Sequence, residues 1–497
     1  MQIFLSSSLT ALGLVFPQVW VLAPLGLGLF LAALRSSTSQ LAYTLIAGLF
    51  FGLMTGAAGT IWFLDTLPLS FLGISDQKVQ IVAVVMTWMY VALSLAAPVP
   101  LGVAVLMRYK RSHLFPMFAA ATWVIVEICR MWCFALTTYG PNSLFGPHFS
   151  AAAIGYALTE NFTLLQLANP CGLDALNGIA AFLAGLIACI PDIVSSTRGR
   201  KAIAFQIFGI IFVCTIWKVS QHASTVAEQS TTLRFAVVST NIDSVRDEVI
   251  HPAVLEDLSS AMATKPHADV ILLPEELGLT SIFWAKGDYQ TFVERYTGGR
   301  EVLIVNSRNE LFVADEKNEA FETKKLLYES TSKGELGRYI KQMLMPLGEY
   351  APAFTKTFFS IINDPSLHAY IDEVAAPYSS SVRTLSPGVF RGIRLGSLLC
   401  SDLFSPYLYR SLARDHSAQV LMNLSNQFWF HGSRTLHWKT RQIARMHAVQ
   451  NRLPFLLANN SAPSLIIDAS GRVISESRWG SRGVLYADIP FHETLGF

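Results

Sequence analysis

Apolar positions fall in long unbroken blocks before residue 222 and in short, strand-length runs after it. The front part divides into seven apolar segments, near 3–16, 18–34, 41–64, 79–107, 114–137, 172–194 and 202–220. A helix needs about 20 mostly apolar residues to cross a bilayer, so most of these predict membrane helices. The first two are short and separated by Pro17, which predicts a helical hairpin that does not span fully. The first lacks a basic start and a small-residue cleavage site, so it is expected to be retained rather than removed as a signal peptide. After residue 230 strand-like runs appear at 233–240, 268–274, 301–306, 393–399, 418–424, 454–459, 464–468 and 483–488. Helical patterns at 251–263, 404–414 and 433–450 alternate with them, the signature of an α/β unit. Asp468 to Arg472 is a turn between two strands, with Gly471 free to take a positive φ. The Ser-, Thr- and Gln-rich residues 221–232 make the boundary. The expected architecture is a multi-pass α-helical membrane domain over 1–222, then an exported α/β catalytic domain over 230–497.

Composition sharpens this division. With 52% hydrophobic and 14% charged residues, the chain of 497 residues is too apolar for an ordinary soluble protein. A formal net charge of +2, with no interleaved aromatic and basic pattern, gives no reason to expect a nucleic-acid partner. Charge also orients the membrane part. Arg35, then Arg108, Lys110 and Arg111, then Arg198, Arg200 and Lys201 follow alternate segments, whereas the loops at 65–78 and 138–171 hold only Lys78. Basic loops stay cytoplasmic, which puts the N-terminus and the α/β domain on the opposite, periplasm-like side. Glu127 and Arg130 are three apart inside a membrane segment, where charges need partners; a structural ion pair is favoured over a substrate contact. Tyr139-Gly140-Pro141-Asn142 reads as an exported turn.

Cysteine usage then points to chemistry. Cys129, Cys133, Cys189 and Cys214 sit in apolar segments, Cys171 at a segment start, and Cys400 alone in the α/β domain. No disulfide can form within that domain, so an oxidising compartment gives Cys400 no structural task. It follows the apolar run Ile393 to Leu399 and is the candidate nucleophile. Glu275 ends the run Asp269 to Pro274 and can take the thiol proton, and Lys341 can stabilise the oxyanion formed on an attacked ester or amide carbonyl. A sharp strand-to-helix turn at the cysteine would expose the sulfur and aim helix amides at the oxyanion. Each residue has a bland alternative: a small core cysteine, a strand-end carboxylate, a solvated lysine. Their ordered combination is what suggests a carbon–nitrogen hydrolase site. The histidines are scattered, and His431 and His437 lack a third ligand at a useful spacing, so no metal is expected; without a Gly-rich phosphate loop, no cofactor is expected either.

Several stretches together resemble the apolipoprotein N-acyltransferase family, bacterial membrane enzymes that join a polytopic half to a nitrilase-type domain. These are Leu273-Pro274-Glu275, Arg338-Tyr339-Ile340-Lys341, Met345-Pro346-Leu347-Gly348-Glu349-Tyr350, Leu399-Cys400, Leu424-Ser425-Asn426 with Trp429-Phe430, Ala444-Arg445-Met446 and Ala458-Asn459-Asn460-Ser461. Gly56 to Trp62 and Trp123 to Arg130 match in the membrane half, so the similarity covers nearly the whole chain. The lysine-to-glutamate block is the most specific of these signals.

The resemblance implies an α-β-β-α sandwich, catalytic Glu275, Lys341 and Cys400, and supporting Glu349, Asp402 and Asn426. It implies a phospholipid acyl donor, a diacylglyceryl-apolipoprotein acceptor and a ping-pong route through a Cys400 thioester. The enzyme would be a monomer in the bacterial inner membrane, its catalytic domain on the periplasmic side. The apolar stretches Thr357 to Ile362 and Phe428 to Phe430 are candidate lids, with interior packing as the alternative. Three features depart from the family pattern. Ser401-Asp402 stands in place of Tyr-Glu, which puts the shorter carboxylate's contact with the site in doubt, and Gln427 replaces an Asp. The family also has a further hydrophobic helix after the last strand, whereas this sequence stops at Phe497; a domain tethered at one end and an incomplete sequence are both open. A membrane-anchored amidase using water as acceptor is the main alternative, expected to have a small polar pocket; an inactive homologue is the other.

Overall fold

The computed structural model describes residues 1–208, 230–242, 267–275, 300–315, 320–375 and 387–492, apart from some positions within these ranges. The expected helix at 251–263, Cys214 and most of the seventh apolar segment lie outside the described residues, as does most of the 221–232 boundary.

Among the described residues of the first half, three helices are long and apolar enough to cross a membrane: Leu41–Gly59, Gln77–Met107 and Phe115–Thr137. The second bends where Gln77–Ala96 gives way to Val99–Met107, because Pro98 and Pro100 cannot donate to the helical ladder. Gln2–Val15, Leu22–Ser36 and Leu173–Ala188 are apolar but shorter. The first two pack on each other as the expected hairpin. Gly48, Gly52 and Gly56 repeat every fourth residue, and a Cβ on any of them would meet the backbone of Pro100, Ala96 or Ala92 within 2.8–3.0 Å. This bare stripe lets Leu41–Gly59 and Gln77–Met107 approach closely. Glu127 and Arg130 pair at 3.2 Å with both side chains buried. Trp123 Nε1 donates to Glu127 and Arg130 Nε to the Leu95 carbonyl, the structural reading of this pair.

Among the described residues of the second half there are twelve strands. β1 (Ser230–Thr240), β2 (Val270–Leu272), β3 (Leu303–Asp315), β4 (Ala320–Thr331), β5 (Gly334–Ile340) and β12 (Gly483–His492) form one leaf. β6 (Val389–Phe390), β7 (Ile393–Leu399), β8 (Val420–Asn426), β9 (Phe455–Asn460), β10 (Leu465–Ile467) and β11 (Val473–Glu476) form the other. β1 pairs with β12 along its length and reaches β9 only through Ser239 and Thr240, so the sheet forks there into an α-β-β-α sandwich. Every residue of β8 and β9 is buried. Helix Arg434–Asn451 packs on the outer side of that leaf. β1, β2 and β3 run parallel, as do β7, β8 and β9. Glu275 and Cys400 follow the C-terminal ends of β2 and β7, where functional residues usually sit in parallel α/β sheets.

Strands β4, β5, β6 and β11 add to those expected from the hydrophobic pattern, and the pattern at 404–414 resolves into a 3-10 turn, Cys400–Phe404, and a short helix, Leu408–Arg414.

Candidate active site

β2 ends at Leu272 and the chain runs through Leu273 and Pro274 to Glu275, which is 3% exposed. β7 ends at Leu399, and Cys400 follows with φ +41, in the left-handed region that a side chain with a Cβ adopts only when its surroundings hold it there. Lys341 directly follows β5 and is 1% exposed. Lys341 Nζ lies 3.2 Å from Glu275 Oε1 and 2.7 Å from Glu349 Oε1. The Cys400 thiol accepts from Ser425 Oγ at 3.7 Å and lies within the field of the Glu275 carboxylate. The fold thus brings together the three residues named from sequence, with Glu349 beside them.

Burial sets the protonation states. It pushes the Cys400 thiol up to about 12, reinforced by the charge of Glu275 and opposed by Lys341, so at rest Cys400 is a thiol. For Lys341 burial pulls downward, but the surrounding Cys400, Glu275 and Glu349 outweigh it and hold the ammonium above its ordinary value. For Glu349 burial pushes upward, yet Lys325 and Lys341 prevail and bring its carboxyl down to about 2.

Asp402 keeps its contact despite the shorter side chain. It is fully buried, accepts from Tyr339 OH at 2.8 Å and from the N–H groups of Met343 at 2.7 Å and Gln342 at 3.2 Å, and so fixes the turn that follows Lys341. Asn426 Oδ1 accepts from Phe428 N–H and Asn460 Nδ2, while Asn460 Oδ1 is taken by Thr240 and Ile242. That chain of donors fixes the amide so that Asn426 Nδ2, at the cavity wall, has no partner among the described residues. Gln427 N–H donates to the Asn460 carbonyl and ties β8 to β9.

One expectation needs correction. A 3-10 turn rather than an α-helix follows Cys400, and the α-helix Leu408–Arg414 begins only after it. A charged residue also escaped the sequence reading: Lys325 on β4, 2.7 Å from Glu349 Oε1 and 3.8 Å from Glu275 Oε1.

These groups open on a cavity of about 160 Å³. Among the described residues, the only ionisable side chain on its wall apart from Cys400, Glu275, Lys325, Lys341 and Glu349 is Tyr370. Phe63, Leu69, Leu72, Ala83 and Val84 come from the membrane half, and Met345, Leu347, Phe359, Trp429 and Phe430 from the α/β half. Both candidate lids therefore border it, although Ile361 points out at 78% exposure. The halves are docked around it: Trp62 stacks on Phe404 at 5.7 Å, His431 Nε2 donates to the Pro68 carbonyl at 3.1 Å, and Tyr350 OH donates to the Thr138 carbonyl at 2.8 Å.

The α-β-β-α sandwich thus gathers buried Glu275 and Lys341 and half-buried Cys400 at one end of its sheets, an arrangement that can support thiol attack on an acyl carbon. The chain belongs to the carbon-nitrogen hydrolase family, whose profile matches residues 234–494, more than half of it. Over a longer stretch it is similar to enzymes named apolipoprotein N-acyltransferase. One from Pseudomonas putida is 23% identical over 97% of this chain and 88% of its own length. Those from Allorhizobium ampelinum and Aquifex aeolicus are 26% and 25% identical over 69% and 48% of this chain, matches that span only 63% and 48% of their own lengths. A carbon-nitrogen hydrolase from Helicobacter pylori superposes with TM-score 0.37 at 16% identity, covering 52% of this chain and 88% of that one.

Proposed function

We propose that this protein is a membrane N-acyltransferase that moves a fatty acyl chain from a phospholipid, through a Cys400 thioester, to the α-amine of a diacylglyceryl-cysteine at the start of an apolipoprotein. The observation that carries this reading is the cavity: the charged cluster at Cys400 leads into a wall of apolar side chains contributed by both halves. An amidase of small polar substrates has no use for such a wall, whereas an acyl chain does. The names of the relatives support an apolipoprotein as the acceptor and N-acyl transfer as the reaction.

In the first half-reaction Cys400 Sγ attacks the ester carbonyl as its proton passes to Glu275, and the oxyanion forms against Lys341. Collapse breaks the carbon–oxygen bond, and Glu275 returns the proton to the departing lysophospholipid hydroxyl. In the second, the lipoprotein amine attacks the thioester and gives its proton to Glu275; the carbon–sulfur bond breaks, and Cys400 is reprotonated as the amide leaves. Because the resting thiol is pushed up to about 12, ionisation accompanies attack instead of preceding it. Glu349 holds Lys341 from behind, and Asp402 holds the backbone beside it.

The α/β domain is assigned to the periplasmic side of a bacterial inner membrane. Two features support this: Arg35 Nε donates to the Lys110 carbonyl and Lys110 Nζ to the Ser37 carbonyl, which gathers the basic loops together. The α/β domain instead meets the loops around Asp65, Thr138 and Ser150, which carry almost no basic residues.

The reading is tested with purified protein, phospholipid and a synthetic diacylated lipopeptide carrying a free α-amine. The expected product is the N-acylated lipopeptide, absent when the amine is acetylated beforehand. Release of free fatty acid alone, with the lipopeptide unchanged, would instead identify a hydrolase.

A further inference from the structure

The antiparallel register of β4 and β5 pairs Leu326 with Ile340, which sets Lys325 directly opposite Lys341, and the Lys341 N–H donates to the Lys325 carbonyl at 2.9 Å. Directly opposed residues in an antiparallel pair share a face, and like charges there are unfavourable. Both lysines are nonetheless buried, at 8% and 1% exposure. Two carboxylates offset the cost: Glu349 Oε1 lies 2.7 Å from each ammonium, and Glu275 Oε1 lies 3.8 Å from Lys325 and 3.2 Å from Lys341. The four side chains form one closed cluster at the head of the cavity.

We propose that Lys325 is a second active-site ammonium and a positioning residue for the acyl-transfer reaction, which neutralises Glu349 so that Lys341 keeps its charge for the oxyanion. The inference rests on the function proposed above and adds to it a residue that acts on the nucleophile through its neighbours. With one lysine facing two ionised carboxylates, the site would carry a net negative charge before the reaction began, and thiolate and oxyanion would both form against it. With two lysines the cluster is neutral at rest. It stays neutral as the thiol proton moves to Glu275 and the negative charge passes from sulfur to oxygen. The charged and titratable groups facing Lys325 among the described residues are Glu275 after β2, Lys341 after β5, Glu349 in the following turn and Cys400 after β7, with Asp402 behind Lys341.

The test compares wild type, Lys325→Met and Lys325→Arg as full-length protein in detergent, with thermal unfolding as a check on folding. Iodoacetamide alkylation of Cys400, followed by peptide mass mapping from pH 6 to pH 10, reads the thiol without depending on any lipid substrate. Acyl-enzyme formation from a phospholipid reads the reaction. Lys325→Met is expected to alkylate about tenfold more slowly at a given pH, and to acylate about 100-fold more slowly with its acid limb moved to higher pH. Lys325→Arg is expected to restore both to within about threefold. A folded Lys325→Met with the wild-type alkylation profile would overturn the proposal, as would a folded Lys325→Arg as impaired as the Met variant. If wild-type protein alkylates normally but no phospholipid acylates it, the acyltransferase reading fails, and the alkylation profiles still decide the role of Lys325.

Discussion

The two ends of the central cavity follow opposite rules. At the head, Glu275, Lys325, Lys341 and Glu349 are buried charges, each within 4 Å of a countercharge and supplied by β4, by the residues just after β2 and β5, and by the turn that follows Lys341. At the other end, Leu69, Ile74, Ala83 and Val84 of the membrane half close against Phe359, Leu367 and Ile371 of the α/β half through apolar contact alone. A buried charge that loses its partner is costly, so the head tolerates almost no change. Apolar contact is non-directional and spread over many atoms, so the other end can be reshaped one residue at a time. The charged cluster therefore comes from the α/β half alone, and the cavity wall is shared between both halves.

The largest effects are expected at the head. Cys400→Ala is expected to abolish acyl-enzyme formation while leaving the fold intact, read as loss of any acyl mass on the protein. Lys341→Met should lower single-turnover acylation about 1000-fold, because it removes the oxyanion's ammonium and leaves two carboxylates short of a cation. A Lys341→Met variant that acylates at nearly the wild-type rate would erase the distinction between the two ends. Ala83→Phe sharpens the comparison from the apolar side: it should slow acylation by long-chain donors about tenfold and leave a short, water-soluble ester unaffected. Equal slowing of both would mean that the head had moved too.

The smallest effect concerns Glu329, outside the cavity between the two leaves. Burial pushes it from 4.5 up to about 7, with hydrogen bonds from Ser397 and the Gly388 N–H drawing it partly back. The native state holds its proton where the unfolded chain has lost it. Stability from this group is thus full below pH ~4.5 and is lost as pH rises through about 7. Glu329→Gln imitates the protonated acid, so between pH 5 and pH 8 the wild type should lose about 3 °C in Tm relative to the variant. Parallel Tm curves would remove Glu329 from the account.

Much of the head was legible from residue order. Glu275 and Cys400 each end an apolar strand-like run, and Lys341 opens a block with Glu349 at a distinctive offset. Lys325 was not, because β4 gives no alternating signal: Lys325, Leu326, Leu327, Tyr328 and Glu329 are all buried, and their charges read as solvated. β5 was hidden by Gly334 and Gly337, which weaken any strand pattern. The 3-10 turn after Cys400 was missed because Asp402 folds back to the backbone N–H groups of Leu399, Gln342 and Met343, a set of partners scattered over 60 residues of sequence. Among the membrane helices, length and apolarity read well; the docking of Phe63, Ala83 and Val84 onto the α/β half depends on packing that hydrophobicity does not encode.

The most direct measurement is the intact mass of the protein after incubation with a phospholipid, followed by hydroxylamine. The account predicts a gain of one acyl chain that maps to Cys400 and is removed by hydroxylamine, as a thioester must be. An unchanged mass in a folded protein offered several phospholipids, or an acyl group on another residue, would contradict it.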